Sequence, residues 1–99
     1  LVLIVDRNDF QAMGKTEDIL DMSNLREELR AFGWVAFEID GHDFSDIEFA
    51  LVQESDKPIA IIANTAKGKG VSFMENQNLY HYKAPSESEY LQAKQELNG

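Results

Sequence analysis

Two stretches of the chain, residues 1–5 and 59–63, are apolar without alternation, and the helical patterns fall between them. Residues 1–5 carry Leu, Val and Ile straight into Asp6. A short continuous run of that kind predicts a strand buried on both faces. Loop chemistry fills the segment from Arg7 to Met22. Ser23 then stands where a helix cap would, with Leu25, Leu29 and Phe32 at i, i+4 and i+7 and Gly33 placed to supply a left-handed stop. Residues 34–39 resume strand character and end at Asp40 and Gly41. Ser45 and Glu48 have the spacing of a capping box for a helix that buries Ile47, Ala50 and Leu51. Lys57 and Pro58 turn the chain into residues 59–63. Strand, helix, strand, helix, strand with crossovers of this length predicts parallel pairing and an α/β fold. Beyond Asn64 the pattern weakens. Lys67, Gly68, Lys69 and Gly70 read as an irregular loop, residues 71–75 as one helical turn and residues 76–85 as a polar stretch. Ser86 and Glu89 repeat the capping box ahead of a last helix with Tyr90, Ala93 and Leu97 on one side.

Composition narrows the class without naming a function. Ninety-nine residues suit one domain, and a chain of this size buries roughly 60–70% of its unfolded surface. Nine basic residues against eighteen acidic ones give a net charge of −9, which argues against nucleic acid and anionic membranes as partners. A hydrophobic content of 43% is too high for a disordered acidic tail. The apolar runs stop far short of the ~20 residues that span a bilayer, so a soluble, globular protein is expected. With no cysteine, disulfide frameworks, thiolate metal sites and thiol nucleophiles drop out, and a cytoplasmic location is expected. Leu1 is not followed by a signal-peptide pattern, and the chain reads as an internal piece of a longer protein.

In an open parallel sheet, ligands bind outside the carboxyl ends of the strands. Three clusters fall there: Asp6, Asn8 and Asp9; Asp40, His42 and Asp43; and Asn64 with Lys67 and Lys69. Oxygen donors such as Asn8 suit Mg²⁺ or Ca²⁺, but taken alone Asp6 and Asn8 read as turn caps rather than as metal ligands. The Asp40 to Asp43 segment reads as a turn fixed by a hydrogen bond of His42 rather than as a metal site. The Lys67 to Gly70 loop has the glycines and ammonium groups of an anion site, yet lacks the order of a phosphate-binding Walker loop and reads equally as a solvated basic loop. His81, between Tyr80 and Tyr82, is a titrating group in a polar loop, and alone it reads as a surface histidine.

Taken together and in order, these blocks carry a resemblance. Asp6-Arg7-Asn8-Asp9-Phe10-Gln11, Gly14-Lys15-Thr16-Glu17-Asp18, Ala31-Phe32-Gly33-Trp34, Asp40-Gly41-His42-Asp43, Lys57-Pro58, the run from Thr65 to Asn76 and Lys83-Ala84-Pro85 strongly resemble transketolase. The likeness is greatest to the N-terminal subunit of split transketolases and covers nearly the whole chain. It implies a three-layer α/β sandwich with a parallel sheet, forming the second part of the domain that binds the diphosphate of thiamine diphosphate. The implied activity is transfer of a two-carbon ketol unit between sugar phosphates.

The resemblance also implies site residues. The family's thiamine motif opens with Gly-Asp-Gly, which this sequence does not contain, and closes about thirty residues later in an Asn. That Asn corresponds to Asn8, whose side chain would bind Mg²⁺ or Ca²⁺ together with the backbone carbonyl of Phe10. His81 matches a histidine beside the thiazolium and substrate, and Lys67 and Lys83 are implied as diphosphate or substrate contacts. Tyr80 stands where relatives have Trp, Tyr82 where they have Gly, and Asp9 where many have Gly. The Tyr82 substitution raises the expectation of a backbone angle that Tyr tolerates poorly. The implied partners are sugar phosphates and a pyrimidine-binding domain or second transketolase subunit, within a homo-oligomer. This piece is expected to be incomplete for catalysis alone. Two other readings stay open: a piece of a deoxyxylulose phosphate synthase-like enzyme, and a non-catalytic binding or interaction module.

Overall fold

The computed structural model describes residues 1–11, 14–15 and 24–99. The expected cap Ser23 and the motif residues Thr16, Glu17 and Asp18 lie outside the described residues. The described chain divides into two compact units, one of residues 1–8 and 21–65 and the other of residues 9–20 and 66–99.

The first unit is the α/β part. Strands β1 (Val2–Arg7), β4 (Val35–Asp40) and β5 (Ile59–Asn64) form a parallel sheet in the order β1-β5-β4. Two helices, α1 (Leu25–Ala31) and α2 (Phe44–Leu51), lie in the crossovers. Register makes the two faces explicit, because Ile4 and Phe37 both sit level with Ile61, whereas Val5 and Glu38 sit level with Ile62. Side chains alternate along a strand, so each set shares one face. On the first face Ile39, Ile59 and Ile61 pack with Ala50 of α2, and Val35, Phe37 and Ile47 close around them. Phe49 adds an edge-on contact to Phe37, with ring centroids 6.2 Å apart. On the second face Arg26 of α1 pairs with Glu38 at 3.5 Å. Arg30 of the same helix donates to the Ala36 carbonyl at 3.0 Å. A helix on either side of the sheet makes three layers, as the resemblance implies.

The central strand β5 is buried as its continuous apolar run predicts. The similar run in β1 is not. This strand pairs on one side only among the described residues, and Val2 and Ile4 are 54% and 59% exposed. An apolar run shows what a strand is fit to be buried against, whereas its burial here depends on neighbours. Three further expectations change. Phe32, expected on the packed side of the first helix, is exposed, and so is Leu51. Helix α2 starts earlier than the Ser45 box implies, because the Asp43 carboxylate accepts from the Ser45 and Asp46 amides at 2.8 and 3.3 Å. Asp43 is therefore the cap, and Ser45 lies inside the first turn. Gly33, at φ +91°, ends α1 in the left-handed conformation as expected.

The second unit has little apolar interior. A two-residue antiparallel pair, β2 (Phe10–Gln11) with β3 (Gly14–Lys15), is followed much later in sequence by a 3-10 turn (Asn78–His81) and by helix α3 (Glu87–Asn98). Among its described residues only Val71 is a buried hydrophobic. Polar contacts do the joining. Ser72 gives its amide and hydroxyl to the two carboxylate oxygens of Glu96 at 2.7 and 2.6 Å. Those bonds hold the Glu96 carboxyl below its ordinary pKa. Ser86 caps α3 as expected, its hydroxyl accepting from the Glu89 amide at 3.3 Å. Tyr90 and Leu97 are more than half exposed, so the apolar side of that helix is only partly covered.

Candidate functional site

At the carboxyl ends of the parallel strands, register brings Arg7, Asn64 and Asp40 level. The groups there satisfy one another. Arg7 donates to the Asn64 amide oxygen at 2.7 Å and pairs with Glu38. Thr65 donates its hydroxyl to the Asp6 carboxylate. Gly41 leaves the room this junction needs, because a Cβ there would collide with the Thr65 methyl. In the loop after β4, Asp40 accepts the backbone amide of His42 at 2.9 Å, and Asp43 is committed to capping α2. The segment is a structured turn. Among the described residues, no three His, Asp or Glu side chains gather as a metal site.

Asn8 follows β1 and is half-buried. The next residue, Asp9, adopts φ +64°, a conformation that costs a non-glycine residue energy and that Asn and Asp tolerate best. This is the position where the resemblance places Gly in many relatives, and the backbone supplies the reason. Phe10 then opens β2 in the second unit. The donors the resemblance assigns here, an Asn amide oxygen and a backbone carbonyl, are hard and neutral. They fit Mg²⁺ or Ca²⁺ provided that the anionic ligands come from the diphosphate and a carboxylate elsewhere.

The second unit gathers the other candidates. Strand β2, with Phe10, packs beside the 3-10 turn that ends in His81. His81 is exposed. Tyr82 sits at φ −133°, an ordinary angle, so the strain expected where relatives have Gly is absent. Tyr80 is the centre of the local packing. Its ring meets Phe73 at 5.7 Å between centroids, and its hydroxyl donates to Glu89 at 2.6 Å. The bond between phenol and carboxylate raises the Tyr80 pKa and lowers that of Glu89. The Lys83 ammonium lies 5.6 Å from the Tyr80 ring centroid, a cation–π distance. Lys83 therefore already has a partner, and the meeting of Tyr80 with Glu89 is the contact that the sequence pattern does not foretell.

The glycines around Lys67 have a structural reason. Gly68 is at φ +73°, and a Cβ there would lie 2.6 Å from the Met74 carbonyl oxygen. The Asn76 amide closes the loop onto the Lys67 carbonyl at 2.8 Å. Tight closure of the loop is enough to require Gly at 68. Lys67 itself is half-buried, and Lys69 is exposed.

Residues 1–98 match the family described as transketolase, thiamine diphosphate binding domain. The chain belongs to that family. It is 37% identical over 101 residues to an apulose-4-phosphate transketolase subunit of Phocaeicola vulgatus, an alignment covering 99% of this chain and 36% of the relative. It is also 37% identical over 100 residues to a 6-deoxy-6-sulfo-D-fructose transketolase subunit of a Clostridium species, covering 98% and 36%. The chain thus spans about a third of the length of these curated relatives. The crystal structure of transketolase from Campylobacter jejuni superposes with a TM-score of 0.87 at 31% identity, covering 99% of this chain and 16% of that one. The α/β transketolase fold expected from the residues is therefore present.

Proposed function

We propose that this chain is the second part of the diphosphate-binding domain of a transketolase, moving a two-carbon ketol unit between sugar phosphates in concert with a pyrimidine-binding domain or subunit. The observation that carries the reading is the inflection after β1, where Asn8 is followed by Asp9 at φ +64° and then by Phe10. The positive φ at Asp9 turns the chain between the two donors, and an Asn side-chain oxygen with a backbone carbonyl is a donor pair that a hard cation accepts. Asn8 and Phe10 would hold Mg²⁺ or Ca²⁺ against the cofactor's diphosphate, with Lys67 as a supporting cation. Lys83 is the weaker candidate, since Tyr80 already engages it.

When bound, thiamine diphosphate supplies the nucleophilic carbon and electron sink for making and breaking the carbon–carbon bond. The protein's share is orientation and proton handling. An imidazole nitrogen of His81 would take and return a proton at a sugar hydroxyl, the general acid–base work for which imidazole is the side chain most often used. The subunit names of the relatives support a second subunit here. Their two different sugars support leaving the sugar itself open. Their transketolase names favour this reading over a deoxyxylulose phosphate synthase-like piece. A homo-oligomer in the cytoplasm and a Gly-Asp-Gly encoded upstream complete the proposal.

The test is His81→Ala in the complete enzyme with its partner present. Turnover of a ketose phosphate donor should fall roughly a hundredfold, while cofactor affinity stays within about twofold. Unchanged turnover in a folded variant would remove His81 from the chemistry.

A further inference from the structure

The 3-10 turn that carries His81 has no residue buried in full. Its first residue follows Gln77, which provides no side-chain cap, and its closing bonds are long, with Tyr80 to the Gln77 carbonyl at 3.3 Å and Tyr82 to the Leu79 carbonyl at 3.4 Å. A short 3-10 turn has poorer hydrogen-bond geometry than an α-helix, so side-chain anchors matter to where it stands. One residue in it is anchored from three directions. Tyr80 meets Phe73 with its ring at an interplanar angle of 60° and receives the Lys83 ammonium 5.6 Å from its ring centroid. Its hydroxyl reaches across to Glu89 at 2.6 Å.

Glu89 is itself fixed. It sits in the first turn of α3, its amide bonded to the capping Ser86 hydroxyl at 3.3 Å, and that hydroxyl donates back to the Glu89 carboxylate at 3.1 Å. The two carboxylate oxygens are thus divided between Ser86 and Tyr80. The chain from helix to cap to carboxylate to phenol ends one peptide bond from His81.

We infer that Tyr80, held by Glu89, is a positioning residue for His81: the phenol–carboxylate bond ties the 3-10 turn to the start of α3 and so sets where the imidazole stands. The inference rests on the proposed role of His81. Charge-assisted bonds from a hydroxyl to a carboxylate are short and strong for their kind, which suits this one to fix the turn against the start of α3. The lowered Glu89 pKa agrees, since the bond favours the ionised carboxylate.

The experiment uses the complete enzyme with its partner and cofactor. Tyr80→Phe keeps the ring on Phe73 and under Lys83 and removes only the hydroxyl. It should lower kcat roughly tenfold, the scale expected when a catalytic group is slightly misplaced, with KM for the sugar and cofactor affinity nearly unchanged. Glu89→Gln, which keeps an oxygen acceptor, should restore most of the rate that Glu89→Ala loses. In a His81→Ala background, Tyr80→Phe should cost nothing further, because there is no imidazole left to place. A readout independent of turnover is the His81 imidazole signal in an NMR spectrum, assigned by its loss in His81→Ala, which should shift or broaden in Tyr80→Phe. Full kcat in Tyr80→Phe, an equal loss in both backgrounds or an unmoved imidazole signal would overturn the inference. If His81→Ala itself keeps full turnover, the proposed role of His81 fails first and this inference falls with it. Loss in His81→Ala without loss in Tyr80→Phe sinks the inference alone.

Discussion

The two units are built on different physics. In the first, β5 is buried along most of its length, and Ile39, Ala50, Ile59 and Ile61 pack into one apolar cluster on one face of the sheet. In the second, Val71 is the single buried hydrophobic among the described residues, and the joints are the Ser72 to Glu96 and Tyr80 to Glu89 bonds. The candidates Phe10, Lys67, His81 and Lys83 all belong to the second unit. The difference teaches that a sheet interior can be stabilised by area alone, because burial of apolar surface is non-directional. Loops that present chemistry must instead be placed by directional bonds and by special backbone angles, which is also where small substitutions matter out of proportion to size.

The largest expected effect tests that contrast in stability. Ile62 is fully buried at the centre of the sheet, so Ile62→Ala should destabilise the folded protein by about 2–5 kcal/mol. Leu97→Ala, on a residue 63% exposed in the second unit, should cost less than about 1 kcal/mol. Chemical denaturation of both variants decides the point, and equal costs would break the comparison.

Backbone substitutions sharpen it. Gly68→Ala meets both a positive φ and the Met74 carbonyl, and should cost about 1–3 kcal/mol. At Gly33 the φ is also positive but nothing lies within 4 Å of an added Cβ, so Gly33→Ala should cost about 1 kcal/mol. Thermal melting that ranks these two the other way would mean the Lys67 loop is looser than its geometry. Asp9→Gly works in the opposite sense. Relieving φ +64° should leave stability unchanged or raise it by a few tenths of a kcal/mol.

The smallest effect is on pH. Glu89 and Glu96 have folded pKa values below the ordinary glutamate value, through Tyr80 and Ser72 respectively. Each contributes stability that is present above the unfolded pKa and lost as pH falls through the folded one. Tyr80 is raised, so its contribution is present below its unfolded pKa and lost as pH rises through the folded value. The second unit should therefore be firmest between the glutamate and tyrosine ranges. Hydrogen exchange of α3 across that span should show protection falling at both ends, and a flat profile would deny these bonds a role.

How much of this was legible in the sequence depends on the residue. The apolar run of β5 announced a buried strand because nothing in the chain competes with that reading. The run of β1 looked the same, yet its exposure is set by neighbours that a pattern does not encode. Asp43 displaced Ser45 as cap because both fit the local rule, and only the helix start decides between them. The positive φ of Asp9 was foreshadowed by the glycine of relatives, whereas the strain expected at Tyr82 was not realised. The meeting of β2 with the His81 turn was illegible, since a two-residue strand has no periodicity to read.

The most direct test of the central claim is the cofactor affinity of Asn8→Ala in the complete enzyme, measured by calorimetric titration of thiamine diphosphate at several Mg²⁺ concentrations. If Asn8 holds the cation that the diphosphate shares, affinity should drop roughly tenfold or more at low Mg²⁺ and recover as Mg²⁺ is raised. An affinity equal to that of the unsubstituted enzyme at every Mg²⁺ concentration would contradict the account.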